Sequence, residues 1–368
     1  MAARGRRIAL VAASATLAVA SLAAAGCGDD DSSASGTAGG GSSLSGEIAG
    51  AGSSAQAAAQ EAWRAGFQTA NSGATVSYDP VGSGGGREQF VAGGTAFGGT
   101  DAALADDELT GAQKRCGGPD NLIEVPVYVS PIAVAYNLPG VDSLQLSPET
   151  LAKIMKREIT KWDDAAIAAD NPGVDLPSTA ITTVSRSDES GTTENFQEYL
   201  AAVAPSVWTY EVSGDWPVKG GESAQGTSGV VDATGAGEGS IGYADASQVG
   251  DLGVATVKVG ANFVGPTAEA AARILDESPR SSVGGPNVFT YDLKRDTAAE
   301  GVYPIVLTSY AMACTTYDSA DTAALVKGYL SYVVSAEGQQ AASDAAGSAP
   351  LTDNLRALIQ PSIDSIGS

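Results

Sequence analysis

Histidine does not occur anywhere among the 368 residues. Its absence excludes Ser-His-Asp and Cys-His catalysis, His-ligated zinc and imidazole general bases. Basic residues are scarce: 20 Lys and Arg stand against 43 Asp and Glu, for a formal net charge of −23. DNA and RNA are thereby excluded as partners, because a polyphosphate needs a basic footprint. Beyond the first 26 residues there is no apolar run long enough to span a bilayer, no heptad pattern and no internal repeat. What remains is a chain able to fold. At 43% hydrophobic and 17% charged residues it can bury a core, so wholesale disorder is excluded. The length suits two domains of ordinary size. The 46 glycines exceed the usual ~7% and imply many tight turns or close backbone approaches.

Residues 1–26 have the three parts of a secretory signal. Arg4, Arg6 and Arg7 form a basic start, Ile8–Leu22 is an Ala/Val/Leu run, and small residues lead to Gly26-Cys27. A membrane-spanning helix is the alternative, but Ala and Ser dominate the stretch and acids, not a basic stop, follow it. The ending Ala24-Ala25-Gly26-Cys27 resembles a bacterial lipobox, in which Cys27 is acylated and becomes the new N-terminus. The Leu usual three places before that cysteine is missing here. Residues 27–44 then read as a polar Gly/Ser/Asp tether, reaching roughly 20–25 Å as a random coil. With Cys27 assigned to lipid, Cys116 and Cys314 remain as an even pair in an oxidising compartment. A disulfide and two free buried thiols are both open.

From residue 45 the texture is α/β. Strand-type runs such as Ala74–Tyr78, Asn121–Ala135 and Ile181–Ser185 alternate with helical stretches at Ala55–Ala70, Pro148–Lys156, Thr192–Ala204 and Ala320–Ser335. Ser147-Pro148-Glu149 is a helix start, with a cap, proline at the first helical position and an acid in the first turn. The glycine-rich residues 212–242 read as loop. Such alternation predicts open sheets flanked by helices, with ligand bound at the carboxyl ends of strands.

Four strand-end segments have anion-binding chemistry. Gly50-Ala51-Gly52-Ser53-Ser54-Ala55 is a Gly turn with two hydroxyls before a helix, whose first N–H groups and dipole favour an anion. It also fits a dinucleotide fingerprint, but no strand-end acid lies at the required spacing. Val81-Gly82-Ser83-Gly84-Gly85-Gly86-Arg87 repeats the logic and lacks the Lys-Ser/Thr pair of a P-loop. Ala96-Phe97-Gly98-Gly99-Thr100-Asp101 ends on an acid that, taken alone, reads as a helix cap. Ser185-Arg186-Ser187-Asp188-Glu189-Ser190-Gly191-Thr192 supplies a guanidinium fork, hydroxyls and a glycine, a set suited to a tetrahedral oxyanion.

In order along the chain, GAGSS, VGSGGGREQF, FGGTDAAL, PIAVAYNLPGV, IMKREITKWDDAAIAADNPGVDLP, SRSDESGTT, GSIGYAD, YPIVL and GQQAASDAAGSAPL resemble the phosphate-binding lipoprotein of the high-affinity phosphate ABC transporter, a periplasmic binding protein. The resemblance covers roughly residues 45–360. It implies an α/β fold of two lobes joined by two crossing strands, near Val125–Ser130 and Tyr303–Thr308. Lobe 1 would comprise 45–128 and 304–368, and lobe 2 residues 129–303. It implies phosphate contacts from Ser53, Ser54, Ala55, Ser83 and Asp101 on one lobe and Arg186, Ser190, Gly191 and Thr192 on the other. Ala55 stands where a phenylalanine is common, so only its backbone can contribute. Glu189 replaces a small residue and has to point outward. No cofactor, metal or catalytic residue is implied. The partners implied are inorganic phosphate, membrane permease subunits and, through the anchor, the membrane on its extracytoplasmic side.

A strongly acidic protein does not draw an anion in by its overall field, so the binding forces must be short-range. Arg186 supplies the positive charge, and Asp188 holds its guanidinium in place. Asp101 faces the anion and would repel it unless the anion brings a proton, as phosphate does near neutral pH and sulfate does not. A receptor for another oxyanion, a phosphate-ester hydrolase, and a surface adhesion or signalling lipoprotein are the rival readings.

Overall fold

The computed structural model describes residues 43–367. The signal-type segment, Cys27 and all but the end of the tether lie outside the described residues. Eleven strands form one hydrogen-bonded sheet among them, eight on a main path with β5, β9 and β10 branching from it: β1 (Ser45–Gly52), β2 (Gly73–Asp79), β3 (Phe97–Thr100), β4 (Leu122–Asn137), β5 (Gln145–Leu146), β6 (Thr182–Arg186), β7 (Glu222–Ala224), β8 (Ser240–Asp245), β9 (Gly253–Val259), β10 (Asn262–Val264) and β11 (Val306–Cys314). The helices interleaved with them are α1 (Ala57–Ala70), α2 (Ser83–Val91), α3 (Asp106–Cys116), α4 (Pro148–Met155), α5 (Ala165–Asp170), α6 (Gly191–Val203), α7 (Gly226–Ala236), α8 (Ala268–Glu277), α9 (Ala320–Val334), α10 (Ala336–Ala346) and α11 (Asp353–Asp364).

The main path runs β2-β1-β3-β11-β4-β8-β6-β7. β1 is parallel to β2 and β3, and β6 is parallel to β7 and β8. Between these two parallel groups lie β4 and β11, antiparallel to one another. β4 is buried along nearly its whole length, and its near-continuous apolar run fits a strand covered on both faces. Its partner changes part-way: Leu122–Pro131 pairs with β11, and Ile132–Asn137 pairs with β8. Residues 284–289, far along the chain, return to the first part of β4, where the Phe289 N–H donates to the Glu124 carbonyl at 2.7 Å and the Glu124 N–H to the Asn287 carbonyl at 3.1 Å.

Aromatic side chains are few but central. Trp63, Phe67, Phe97 and Tyr329 fill the layer between α1, α9 and the β1 group, while Phe196, Tyr199, Trp208 and Tyr243 fill the other side. Each such ring buries a large apolar area, so a small number suffices. Cys116 at the end of α3 and Cys314 at the end of β11 are joined in a disulfide across 198 residues, which resolves the pair left open above.

The segment 212–242 departs from its reading as loop: it contains β7, α7 and the start of β8. Gly226, Gly229 and Gly235 all fall in α7, against their weak intrinsic preference for helix. Packing decides instead, since Val230 and Thr234 of α7 are buried.

Candidate functional site

Each segment with anion-type chemistry sits at the carboxyl end of a strand. β1 ends at Gly52 and leads into Ser53–Ala55; Ser83 opens α2 after β2; Asp101 follows β3. Because β1, β2 and β3 are mutually parallel, these three segments share one edge of the sheet. β6 ends at Arg186 and leads to Ser190, the N-cap of α6, whose Oγ accepts the Thr193 N–H at 3.2 Å. A hydroxyl that caps by accepting keeps its own proton to donate.

The two groups of loops meet on Asp101, which is 3% exposed. Its Oδ2 accepts from Thr192 Oγ1 at 3.2 Å and from Ser83 Oγ at 3.4 Å, and its backbone N–H donates to Ser83 Oγ at 3.1 Å. Its carbonyl accepts from Asn195 Nδ2 at 2.7 Å. Gly191 has to be glycine here: a Cβ would stand 2.8 Å from both Asp101 Cβ and Ser83 Oγ. Gly82, at φ +98°, lets α2 start beside Arg186, whose Nη2 would lie 3.3 Å from an added Cβ.

Arg186 is 4% exposed. Asp188 takes it as a fork, Nε to Oδ1 at 2.8 Å and Nη2 to Oδ2 at 2.5 Å, leaving Nη1 uncommitted to that partner. Burial alone would raise the Asp188 carboxyl, but the hydrogen bonds and charge of Arg186, with the Gly226 N–H, hold it below its ordinary range.

Ser53 and Ser54 are both buried, and both hydroxyls are engaged. Ser53 Oγ accepts the Ala55 N–H at 3.1 Å, so the one group Ala55 can contribute is already partnered. Ser54 Oγ meets Thr227 Oγ1 at 3.0 Å and accepts the Thr227 N–H at 3.1 Å. Thr227 lies in the first turn of α7, so the starts of α1, α2, α6 and α7 gather around the same few residues.

The sequence reading overlooked Thr227. Its signal was present, because Ala224-Gln225-Gly226-Thr227-Ser228 has the same strand-end, glycine and hydroxyl order as the other four segments. It overlooked Ser309 as well, which donates to Asp101 Oδ1 at 2.5 Å from the middle of β11. No local pattern marks a serine inside a buried strand. Glu189 turns away from the hydroxyl cluster and pairs with Arg87 of α2.

The assembled set is one guanidinium, several hydroxyl and N–H donors at helix starts, and one acid ringed by hydroxyls. Its chemistry is that of oxyanion binding by short-range donors. Comparison with known proteins bears on which family carries it. The phosphate-binding protein PstS 3 of Mycobacterium tuberculosis is 35% identical to this chain over 366 residues, covering 96% of this chain and 98% of that protein. The chain belongs to the PstS phosphate-binding protein family. The PBP superfamily domain matches residues 33–337, as the resemblance read from the motifs implied. PstS 2 of the same organism is 34% identical over 332 residues, 87% of each chain. Among solved structures, a high-affinity periplasmic phosphate-binding protein bound with phosphate (PfluDING) aligns over 86% of this chain and 93% of its own, with a TM-score of 0.72 at 22% identity. That likeness bears on the fold, which is the two-lobed α/β architecture of periplasmic binding proteins.

Proposed function

We propose that this PstS family member is an extracytoplasmic receptor that closes on inorganic phosphate and passes it to the permease subunits of an ABC transporter. The observation that carries the reading is Asp101 at the meeting point of Ser83 and Thr192. The names borne by the relatives support it.

The ligand set is Ser53, Ser54, Ala55, Ser83 and Asp101 from the β1–β3 edge, with Arg186, Ser190, Gly191 and Thr192 from the β6 edge. Arg186 meets the charge of the anion through its uncommitted nitrogen, while hydroxyls and helix-start N–H groups replace its water. Asp101 accepts a hydrogen bond from the proton that phosphate carries. Against sulfate the same carboxylate meets a bare oxygen and repels it, so an acceptor built into the site discriminates by the missing donor. No step in this account makes or breaks a covalent bond; the protein acts as a carrier and not as an enzyme.

The lobes run from 45–128 with 304–368, and over 129–303, joined through β4 and β11. The change of β4 partner between Pro131 and Ile132 supports a crossing there. Residues 284–289 fall within 129–303 along the chain but bond to the first half of β4, so this stretch of the second range packs against lobe 1. A signal peptide over 1–26 and lipidation of Cys27, with 27–44 as tether, would hold the receptor at the outer face of the cell membrane.

Titration calorimetry with phosphate, arsenate, sulfate and molybdate tests the reading. Heat with phosphate and arsenate and far weaker binding of sulfate are expected. Sulfate binding as tight as phosphate would favour a general oxyanion receptor, and phosphate release from a phosphomonoester would favour the hydrolase.

A further inference from the structure

Asp101 is the end of a chain of hydrogen bonds that leads away from the ligand and into the core. Its Oδ1 accepts from Ser309 Oγ, and Ser309 Oγ in turn accepts from Gln56 Nε2 at 2.6 Å. Gln56 Oε1 accepts from Gln60 Nε2 at 2.8 Å, and Gln60 Oε1 accepts from the Tyr329 hydroxyl at 2.7 Å. The members come from α1 and the N-cap residue before it, β11 and α9, so no contiguous stretch of chain contains them. Gln56, Ser309 and Tyr329 are each 0% exposed, and Gln60 is 5% exposed.

The direction of this chain is set at its ends. An ionised carboxylate can only accept, so Ser309 must give Asp101 its single proton and take one from Gln56. Each amide is then forced to present oxygen to the core side and nitrogen to the site side. Tyr329 closes the series as a donor, and burial holds its phenol protonated by raising its pKa far above the usual value. The opposite polarity would leave Ser309 and Asp101 oxygens facing each other with no proton between them. That arrangement becomes tolerable only if Asp101 is neutral.

We propose that Gln56, Gln60, Ser309 and Tyr329 form a directional relay that fixes the Asp101 carboxylate as an acceptor, and so act as positioning residues for discrimination between protonated and unprotonated oxyanions. The relay occupies Oδ1 and orients Oδ2 toward Ser83, Thr192 and the ligand. This inference rests on the phosphate-receptor reading and deepens it.

The test is the ratio of phosphate to sulfate affinity in the full-length protein, measured by calorimetry for wild type, Ser309→Ala, Gln56→Met and Tyr329→Phe. Ser309→Ala removes a hydrogen bond to a charged group, an interaction whose loss corresponds to roughly 10–100-fold in an equilibrium constant. The ratio should fall by about tenfold or more in Ser309→Ala and Gln56→Met, with phosphate weakened and sulfate unchanged or tightened. Tyr329→Phe keeps the ring and removes one oxygen four hydrogen bonds from Asp101. It should still lower the ratio about threefold or more, because Gln60 and then Gln56 are free to reverse. Melting curves run alongside identify variants that fail to fold, and Tyr329→Phe, the mildest change, then carries the test. Loss of affinity for both anions by the same factor, or a wild-type ratio in Tyr329→Phe, would overturn the relay and leave the receptor reading intact. A wild type that binds neither anion would overturn both.

Discussion

Glu189 Oε1 lies 2.5 Å from Arg87 Nη2, a pair separated by 102 residues that ties the loop before α6 to α2. The two side chains are unequal: Arg87 is 4% exposed and Glu189 46%. Arg87 also donates to Glu108 at 2.8 Å and to Thr100 at 3.0 Å, so it stays satisfied when Glu189 leaves. The pair therefore acts across the two groups of loops and not within either. As a half-exposed ion pair it stabilises by at most about 1 kcal/mol. Glu189→Ala should speed phosphate dissociation up to about fivefold, measured by stopped-flow fluorescence, with no change in melting temperature. A wild-type rate at low salt would remove the pair from any role in closure.

Asp101→Asn keeps the shape of the side chain and replaces an acceptor-only group with one that also donates. Phosphate binding should weaken while the bias against sulfate relaxes. Calorimetry with both anions measures the ratio; a ratio equal to wild type would contradict the role assigned to Asp101.

Arg186→Ala removes the cation from the proposed ligand set. An anion held between two lobes must favour their closed arrangement, and the shift it produces is limited by its differential affinity for the two states. Binding should weaken by about 2–4 kcal/mol, the scale of a buried charge-assisted contact. Small-angle scattering should show compaction of the wild type on adding phosphate and much less in Arg186→Ala at the same concentration. Equal compaction in both would place the clamp elsewhere.

Glu124 of β4 sits at 0% exposure with its carboxyl raised to about 7. Burial is the main cause, opposed by the Leu104 N–H and by the Arg87 charge. Its folded value lies above its unfolded one, so the folded state binds more protons between them. This contribution to stability is complete below about pH 4.5 and is lost as pH rises through about 7. Asp245, raised to about 6 mainly by burial, acts in the same direction. Urea denaturation at pH 5 and pH 8 should show Glu124→Gln to be less pH-dependent than wild type, by up to roughly 3 kcal/mol across the window. Identical pH slopes would mean that Glu124 ionises freely in the native state.

Local pattern marked a good part of the candidate site. Ser53, Ser83, Asp101, Arg186 and Ser190 each occupy a strand end, where a glycine, a hydroxyl or charge and the first turn of a helix follow one another. The expected helix at Ala320–Ser335 forms over Ala320–Val334, and the expected strand at Ile181–Ser185 over Thr182–Arg186. Residues 212–242 defeated that approach because glycine reports a weak preference, and burial of Val230 against the sheet overrode it.

The sequence by itself determined the class of fold, the strand-end loops and the residue types able to meet an oxyanion, because each depends on periodicity or chemistry within a few neighbouring positions. Tertiary structure decided which of them act together. Thr227 meets Ser54 across 173 residues, and Ser309 reaches Asp101 across 208. Those pairings arise from sheet order and from the change of β4 partner at Pro131. Their physical basis is the non-local burial of strands and helices, and nothing in the spacing of the residues along the chain encodes it.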